Sequence, residues 1–141
     1  MVIGIFGESC TGKSTLAEKL KAQLNAEVYS GKDYLRLAKN EAIAQKLFGK
    51  RLEAAVNGGS ILYVIAEREH LALLPEGAVR ILMTADLPLI EERFAQRMHG
   101  VLPTPVKTML ERKHGMFDQE HFDYHIHNGE GADIVCASLC K

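Results

Sequence analysis

The sequence lacks a strong excess of charge, a disulfide framework and a long hydrophobic run. Its 141 residues carry a formal net charge of −1 and dispersed basic residues, so there is no general attraction to nucleic acid or to an anionic membrane. The longest apolar run, at residues 61–66, is too short to span a bilayer. Three cysteines cannot close a set of disulfides and indicate a reducing compartment. We therefore expect one cytoplasmic domain over residues 1–141, without nucleic-acid or membrane partners.

What the sequence does contain is an alternation of strand-like and helix-like segments. Apolar runs predict strands at residues 2–6, 60–66 and 79–83, and two further strands are expected at 27–30 and 124–127. Helical spacing of apolar residues predicts helices from residue 13, at 33–56, 67–74, 87–98 and 104–113, and from near residue 133. We expect Asp33 and Thr104 to cap the helices that they begin, and Gly49 to interrupt the helix at 33–56. The alternation predicts an α/β domain with a mainly parallel sheet.

A glycine-rich loop lies between the first predicted strand and the first predicted helix. Residues 7–15 read GESCTGKST, and the first eight match the pattern G-x-x-x-x-G-K-[ST]. Gly7 and Gly12 allow backbone angles and close approaches that a side chain would obstruct. The N–H groups between them can then converge on phosphate oxygens, at the positive end of the helix dipole. The intervening residues are Glu8, Ser9, Cys10 and Thr11.

The residues after the second glycine of the loop supply side chains for the same chemistry. Lys13 can reach the terminal phosphates of a nucleotide as a cation. The hydroxyl of Ser14 suits a Mg²⁺ ligand, and Thr15 can bond another phosphate. The loop therefore predicts a site for a nucleotide with Mg²⁺. A plain strand-to-helix turn is the lesser alternative, because the motif stands in the expected strand–loop–helix context.

Several classes of protein share this motif, and further absences separate them. A GTPase needs Asn-Lys-x-Asp to read guanine and Asp-x-x-Gly as a switch, and the sequence contains neither. Motor ATPases usually need a longer chain. No strand of four apolar residues ends in an aspartate, so the nearest candidates for an acid that organises Mg²⁺ are Asp33 and Glu67. Small-molecule kinases remain.

Two arginines lie on one face of the predicted helix at residues 87–98. Arg93 and Arg97 are four residues apart, and the apolar residues of the helix are offset from them. Two guanidinium groups near a phosphate loop can neutralise the charge that moves between a phosphoryl donor and its acceptor. The alternative is a solvated face on which Glu91 and Glu92 pair with the arginines. Beside the glycine-rich loop, the functional role is favoured.

Three segments of the chain resemble the P-loop nucleoside and nucleotide kinases, the superfamily of the adenylate, guanylate and cytidylate kinases. They are GESCTGKST, ADLPLIEERFAQRMHG and FDYHIHNGEGAD. The resemblance implies a three-layer α/β/α P-loop fold with a five-stranded, mainly parallel sheet, and ATP with Mg²⁺ as the donor. It implies that Arg93 lies against the donor base or lid and Arg97 on its phosphates. Asn128 and Gly129 would edge the adenine pocket through backbone groups.

The same resemblance places the acceptor over a helical region at about residues 32–57. It implies that Asp33, Arg36 and Arg51 face the acceptor there, and Arg68 is similar in placement to an acceptor-phosphate arginine. Asp33 would orient an acceptor hydroxyl or a water on Mg²⁺. An ordinary surface role stays open for each of these residues. A short lid is expected at about residues 98–113, where Arg112 and Lys113 would add charge.

The sequence thus predicts a small P-loop kinase, with Lys13, Arg93, Arg97 and Asp33 as catalytic residues. It would transfer the γ-phosphoryl group of ATP to a nucleotide, such as a cytidylate-like nucleoside monophosphate, or to another small acceptor. Two alternatives stay open: a nucleotide-binding regulatory module with little turnover, and a slow NTP hydrolase. The short lid and the missing acidic motif slightly favour the regulatory module. The sequence does not predict an oligomeric state.

Overall fold

The five predicted strands form one parallel sheet. In a computed structural model, which describes residues 1–140, the sheet order is β2-β3-β1-β4-β5. The strands are β1 (Val2–Gly7), β2 (Glu27–Ser30), β3 (Ile61–Ile65), β4 (Val79–Thr84) and β5 (Tyr124–His127). In the central strand β1, Ile3 pairs with Leu62 on one side and Val79 on the other. Burial on both faces explains why β1 is a continuous apolar run.

Helices cover both faces of the sheet. The α-helices are α1 (Lys13–Leu24), α2 (Glu41–Ala55), α3 (Leu87–Arg97), α4 (Thr104–Lys113) and α5 (Ala132–Leu139). On one face, α1 and α5 pack through Leu16, Leu20 and Val135. On the other face, α2 packs through Phe48 and Leu52. The predicted three-layer α/β/α architecture with a five-stranded parallel sheet is therefore confirmed.

The predicted helix at residues 33–56 is two separate elements. A 3₁₀ helix runs over Asp33–Leu37, and α2 begins only at Glu41. The N-cap of α2 is Asn40, whose Oδ1 accepts a hydrogen bond from the Ile43 N–H at 3.1 Å. Asp33 does not cap α2, because its Oδ2 accepts from the Ser30 N–H at 2.9 Å and closes the turn after β2.

Two smaller predictions about helices, for Gly49 and Thr104, were also wrong, whereas the short helix predicted at 67–74 is present. Gly49 does not interrupt α2, which continues through it to Ala55. The predicted helix at 67–74 is a 3₁₀ helix over Arg68–Leu73. Thr104 is the first residue of α4 and not its cap, since Pro103 precedes it in an extended conformation.

The two helices that follow β4 form a hairpin next to the glycine-rich loop. Helices α3 and α4 contribute Ile90 and Leu110 to a small apolar cluster that also contains Cys10 and Ala85. Because Cys10 belongs to the loop, the hairpin packs directly against it. Nowhere in residues 1–140 does a helix have the length and apolar character needed to cross a bilayer.

Candidate active site

The glycine-rich loop makes a tight turn between β1 and α1. Cys10 and Gly12 have φ angles of 62° and 93°, so the backbone passes twice through the left-handed region. Gly7 is required for another reason, because a Cβ at this position would lie 2.1 Å from the carbonyl oxygen of Met83. The Thr11 hydroxyl donates to the carbonyl oxygen of Glu8 at 2.8 Å and closes the turn. The loop is therefore held open for an anion at the N-terminus of α1.

Lys13 is buried at the base of this loop. Its side chain is 9% exposed, and its Nζ donates to the carbonyl oxygen of Glu8 at 2.5 Å. The pKa of the ammonium group is lowered from 10.5 to about 8, mainly because the group is buried; Arg97 also lowers it, while Cys10 and Glu8 act in the opposite direction. Burial removes the hydration of the ammonium group, and its one partner, a carbonyl oxygen, is uncharged. A bound anion would stabilise the charged form, so Lys13 is suited to bind a phosphate.

Nucleotide binding should weaken as the pH rises above about 8. A bound phosphate favours the protonated form of Lys13, so the affinity is insensitive to this group below its pKa and falls above it, by up to about tenfold per pH unit. Calorimetric titration with Mg²⁺ and adenylyl imidodiphosphate at pH 7, 8 and 9 measures this. Lys13→Met should bind weakly without that pH dependence. Equal affinity of the unmodified protein at pH 7 and 9 would contradict the assignment.

A cleft of about 610 Å³ opens above the loop, and some of the predicted donor residues line it, whereas Lys13, Ser14 and Asn128 do not. Its volume lies within the range of small-molecule sites, roughly 300–1,000 Å³. The predicted residues that line it are Cys10, Thr11, Gly12, Thr15, Arg93, Arg97 and Gly129. Arg93 reaches the loop itself, because its Nη1 donates to the carbonyl oxygen of Cys10 at 2.9 Å. The arginine face of α3 therefore points at the glycine-rich loop.

Asn128, which was predicted to act through its backbone groups, also has a side-chain contact. Its side chain forms a reciprocal pair with Asp86: Oδ1 accepts from the Asp86 N–H at 2.9 Å, and Nδ2 donates to the Asp86 Oδ2 at 3.0 Å. Hydrogen bonds from Asn128 and His127 hold the pKa of the Asp86 carboxyl below its ordinary value. The pair joins the start of α3 to the loop after β5, and Gly129 in that loop lines the cleft. Asp86 was not among the predicted site residues, although an aspartate directly before a helical pattern is a common N-cap signal.

Two histidines of β5 extend this network. The Thr84 hydroxyl lies 2.7 Å from both His125 Nε2 and His127 Nδ1, and His127 Nε2 lies 3.1 Å from Asp86 Oδ1. Within residues 1–140, no three His, Cys, Asp or Glu side chains are arranged to hold a metal ion. The histidines thus brace the loop after β5 against the end of β4.

The end of α4 is tied to the glycine-rich loop by the side chain of Glu8. This carboxylate is 8% exposed; its Oε1 lies 3.0 Å from His114 Nδ1, and its Oε2 accepts from the Gly115 N–H at 3.1 Å. Glu8 was predicted to contribute only its backbone, and the link made by its side chain was not predicted. In the preceding position, which is the last of α4, Lys113 pairs with Glu67 at 3.3 Å.

The predicted acceptor residues do not all meet. Asp33 and Arg68 follow β2 and β3 at the carboxyl edge of the sheet, where the glycine-rich loop also lies, and Arg68 pairs with Glu120 at 3.0 Å. Arg36 stacks on the Tyr29 ring, with its Cζ 4.7 Å from the ring centroid. Arg51 is not brought to this edge, because its guanidinium lies 3.6 Å from Glu27 at the opposite, amino edge.

The residues of the loop fit a Mg²⁺-bound nucleotide. The turn at Gly12 leaves a concave backbone at the N-terminus of α1, and Lys13 lies beneath it as a buried cation. Ser14 is exposed on the first turn of α1, and its hydroxyl has no hydrogen-bond partner among residues 1–140. An exposed, unpaired hydroxyl beside a phosphate cradle suits a hard cation such as Mg²⁺.

Comparison with solved structures identifies the fold. An uncharacterized protein from Eubacterium ventriosum superposes with a TM-score of 0.71 at 19% identity, over 99% of this chain and 98% of that one. A gluconokinase from Sinorhizobium meliloti gives 0.62 at 13% identity, over 99% and 93% of the two chains. A shikimate kinase from Aquifex aeolicus gives 0.53 at 17% identity, over 99% and 93%. The chain has the fold of the P-loop kinases.

The P-loop kinase fold accounts for the position of the cleft. In open parallel sheets, ligands bind beyond the carboxyl ends of the strands, which is where the glycine-rich loop and Arg93 meet. No family model and no curated protein matches the sequence. At identities of 13–19%, these solved structures establish the fold and not the substrate.

Proposed function

We propose that this protein is a small kinase that transfers the γ-phosphoryl group of Mg²⁺-ATP to a small-molecule acceptor. The main observation in support is that the glycine-rich loop, Arg93 and Arg97 line the same cleft. Structures named as gluconokinase and shikimate kinase share the fold, which supports transfer to a small molecule. The free cysteines agree with action in the reducing cytoplasm.

The protein's contribution to catalysis is positioning and charge stabilisation. Backbone N–H groups of the loop and the dipole of α1 hold the phosphates, and Lys13 donates to their terminal oxygens. Ser14 would bind Mg²⁺, which supplies further charge neutralisation when it is bound. Arg93 is fixed on the Cys10 carbonyl, whereas Arg97 is exposed at the cleft and free to approach the transferred group.

The acceptor is proposed to bind at the carboxyl edges of β2 and β3. Asp33 uses Oδ2 to close the turn after β2, and Oδ1 has no hydrogen-bond partner in the described part of the chain. That oxygen would orient an acceptor hydroxyl for attack on the phosphoryl group. Arg68 and Arg36 would bind an anionic group of the acceptor.

A panel of acceptors tests the proposal. ADP release from Mg²⁺-ATP is measured with nucleoside monophosphates, nucleosides and hydroxy acids that include gluconate and shikimate. We expect one class to accelerate release at least about tenfold, with phosphoryl transfer to that acceptor confirmed by mass spectrometry. Arg97→Ala should then lower the turnover number about 100-fold with little change in unfolding temperature. If the protein binds the nucleotide but no acceptor in the panel accelerates ADP release, the proposal is wrong.

A regulatory nucleotide-binding module is the second candidate, and one observation favours it. The space above Ser9, between Glu67 and Lys113, is only about 30 Å³, which is no more than room for a water molecule. An acceptor could enter here only if α4 or the loop after β3 moved. Slow release of ADP that no acceptor accelerates would instead indicate an NTP hydrolase.

A further inference from the structure

A second groove lies on the other side of β4 from the cleft above the glycine-rich loop. Alternate residues of β4 separate the two spaces, since Met83 lines the cleft whereas Leu82 and Thr84 line the groove. The volume of the groove is about 400 Å³, which lies within the range of small-molecule sites, roughly 300–1,000 Å³. The proposed phosphoryl transfer does not use this groove, so it is a candidate site for a second ligand.

The charges that line the two spaces are opposite in sign. Among residues 1–140, Lys19, Arg93 and Arg97 line the cleft, and no carboxylate does. Within the same range, neither a lysine nor an arginine lines the groove. The groove therefore disfavours a phosphate and favours a cation. Its titratable lining residues are three carboxylates and three imidazoles: Glu8, Asp86, Asp118, His114, His125 and His127.

Asp118 is the carboxylate of the groove that is left for a ligand. Glu8 and Asp86 each accept two hydrogen bonds from other parts of the chain. The Asp118 carboxylate has neither a hydrogen bond nor an ion pair to another of residues 1–140, and it lies directly over Gly115. A cationic ligand would compensate this charge.

A chain of hydrogen bonds fixes the protons of the two histidines on β5. The Asp86 carboxylate accepts from His127 Nε2 at 3.1 Å, so in the neutral ring Nδ1 is an acceptor. The Thr84 hydroxyl lies 2.7 Å from that atom and gives its one proton to it. His125 Nε2, also 2.7 Å from the Thr84 oxygen, must then donate. The hydrogen-bond network thus assigns His125 Nδ1 as an acceptor, without a partner in the described part of the chain.

These two free acceptors share the groove with an aromatic side chain. Phe122 is 40% exposed, and its ring centroid lies 5.4 Å from that of His125 with an angle of 51° between the rings. The buried residues Leu82 and Ala85 also line the groove. The described side chains do not bring together three ligands for a metal ion, so the cation that fits is organic. An ammonium group suits the acceptors, and a planar ring suits Phe122.

We propose that this groove binds a small aromatic amine in its protonated form. The ammonium group donates to Asp118 and to His125 Nδ1, and the ring of the ligand packs on Phe122. Glu8 connects the groove to the glycine-rich loop, because its side chain lines the groove and its carbonyl oxygen accepts from Lys13 Nζ. The bound amine would therefore lie next to the loop without entering the cleft.

Binding of benzylammonium tests the site without nucleotide or turnover. An NMR titration of the backbone amides at neutral pH measures the dissociation constant and locates the site. We expect a value of about 1 mM, with the largest shifts around Gly115, Asp118 and His125, and no binding of benzyl alcohol or benzoate at about 10 mM. n-Butylammonium, which models a lysine side chain of a partner protein, should bind at least about threefold more weakly. Equal binding of benzyl alcohol, or tighter binding of n-butylammonium, would overturn the proposal.

Two substitutions in the groove have a matched control at the opposite edge of the sheet. Asp118→Asn should weaken benzylammonium binding about fivefold, and Phe122→Leu about threefold, because each removes one contact with the cation. Glu76→Gln removes the same charge as Asp118→Asn from an exposed turn before β4, and it should leave the affinity unchanged. Unchanged binding by Asp118→Asn, or an equal loss in Glu76→Gln, would show that the groove is not the site.

The protons of the histidines give an independent test. NMR of the ring nitrogens should show His125 and His127 both protonated on Nε2, and benzylammonium should shift the His125 Nδ1 resonance. Thr84→Val breaks the chain of hydrogen bonds while Asp118 remains, so the affinity should fall about threefold. A proton on His125 Nδ1 in the unmodified protein would contradict the proposal, because the groove would then lack its second acceptor.

Discussion

Replacing Lys13 with methionine should lower the turnover number about 1,000-fold while the domain stays folded. Lys13 is the buried cation of the glycine-rich loop. In the proposed reaction, its charge is needed most when negative charge moves between the phosphoryl donor and the acceptor. Its burial is also costly, since a pKa lowered from 10.5 to about 8 corresponds to roughly 3 kcal/mol against the charged form at neutral pH. Methionine fills the same space without that cost, so the unfolding free energy should rise.

Both effects are measured on the same protein preparations. Acceptor-dependent ADP release gives the turnover number, and urea unfolding at pH 7 gives the free energy. Lys21→Met is the matched control, because Lys21 is exposed in the last turn of the same helix. It should keep full turnover. If Lys13→Met retained more than a tenth of the activity, the proposed role of the loop would be wrong.

The stability gain also has a defined pH dependence. The folded-state pKa of Lys13 lies below the unfolded value, so the folded protein binds fewer protons than the unfolded chain between about pH 8 and 10.5. The cost of burying the cation is therefore fully present below pH 8 and is relieved as the pH rises through that window. The advantage of Lys13→Met over the unmodified protein should shrink in the same range.

Replacing Gly7 with alanine should destabilise the domain by about 3 kcal/mol or more. The new Cβ would lie 2.1 Å from the carbonyl oxygen of Met83, which is backbone and cannot rotate away. Gly7 and Met83 are partners in the β1–β4 ladder, so relief of the clash requires the two strands to separate at the site. Urea unfolding measures the loss, and a chain that fails to fold also agrees with the prediction.

A second glycine provides the control for this substitution. Gly49 lies inside α2, and a Cβ there meets nothing within 4 Å. Gly49→Ala should stabilise the protein by about 0.5–1 kcal/mol, because alanine loses less backbone entropy in a helix. If the two variants differed by less than about 1 kcal/mol, the steric explanation for Gly7 would fail.

The sequence by itself determined the parts of the molecule that are built from residues close together in the chain. The apolar run of β1, the two glycines of the loop and the start of α1 follow one another within a few residues, so one motif specified the loop. The spacing of Arg93 and Arg97 likewise predicted a shared helical face, and both line the cleft. The strands β1, β3 and β4 were predictable because buried parallel strands are largely apolar runs, whereas β2 and β5 are short, partly exposed strands at the edges of the sheet.

The prediction from sequence was wrong where a helical pattern of apolar residues competes with hydrogen bonds between side chains and the nearby backbone. Residues 33–56 have a helical pattern, but Asp33 and Asn40 each bond a nearby backbone N–H. These short-range bonds divide the segment into a 3₁₀ helix and α2. The pattern of apolar residues does not predict this division.

Only the tertiary structure decided which distant side chains meet. Glu8 and His114 are 106 residues apart, and Asp86 and Asn128 are 42 residues apart, yet each pair fixes a wall of the site. Arg51 was grouped with the acceptor residues, but the length and direction of α2 carry it to the amino edge of the sheet. Periodicity specifies the face of a helix on which a residue lies. The packing of helices and strands specifies what that face meets, because it is set by contacts between segments far apart in the chain.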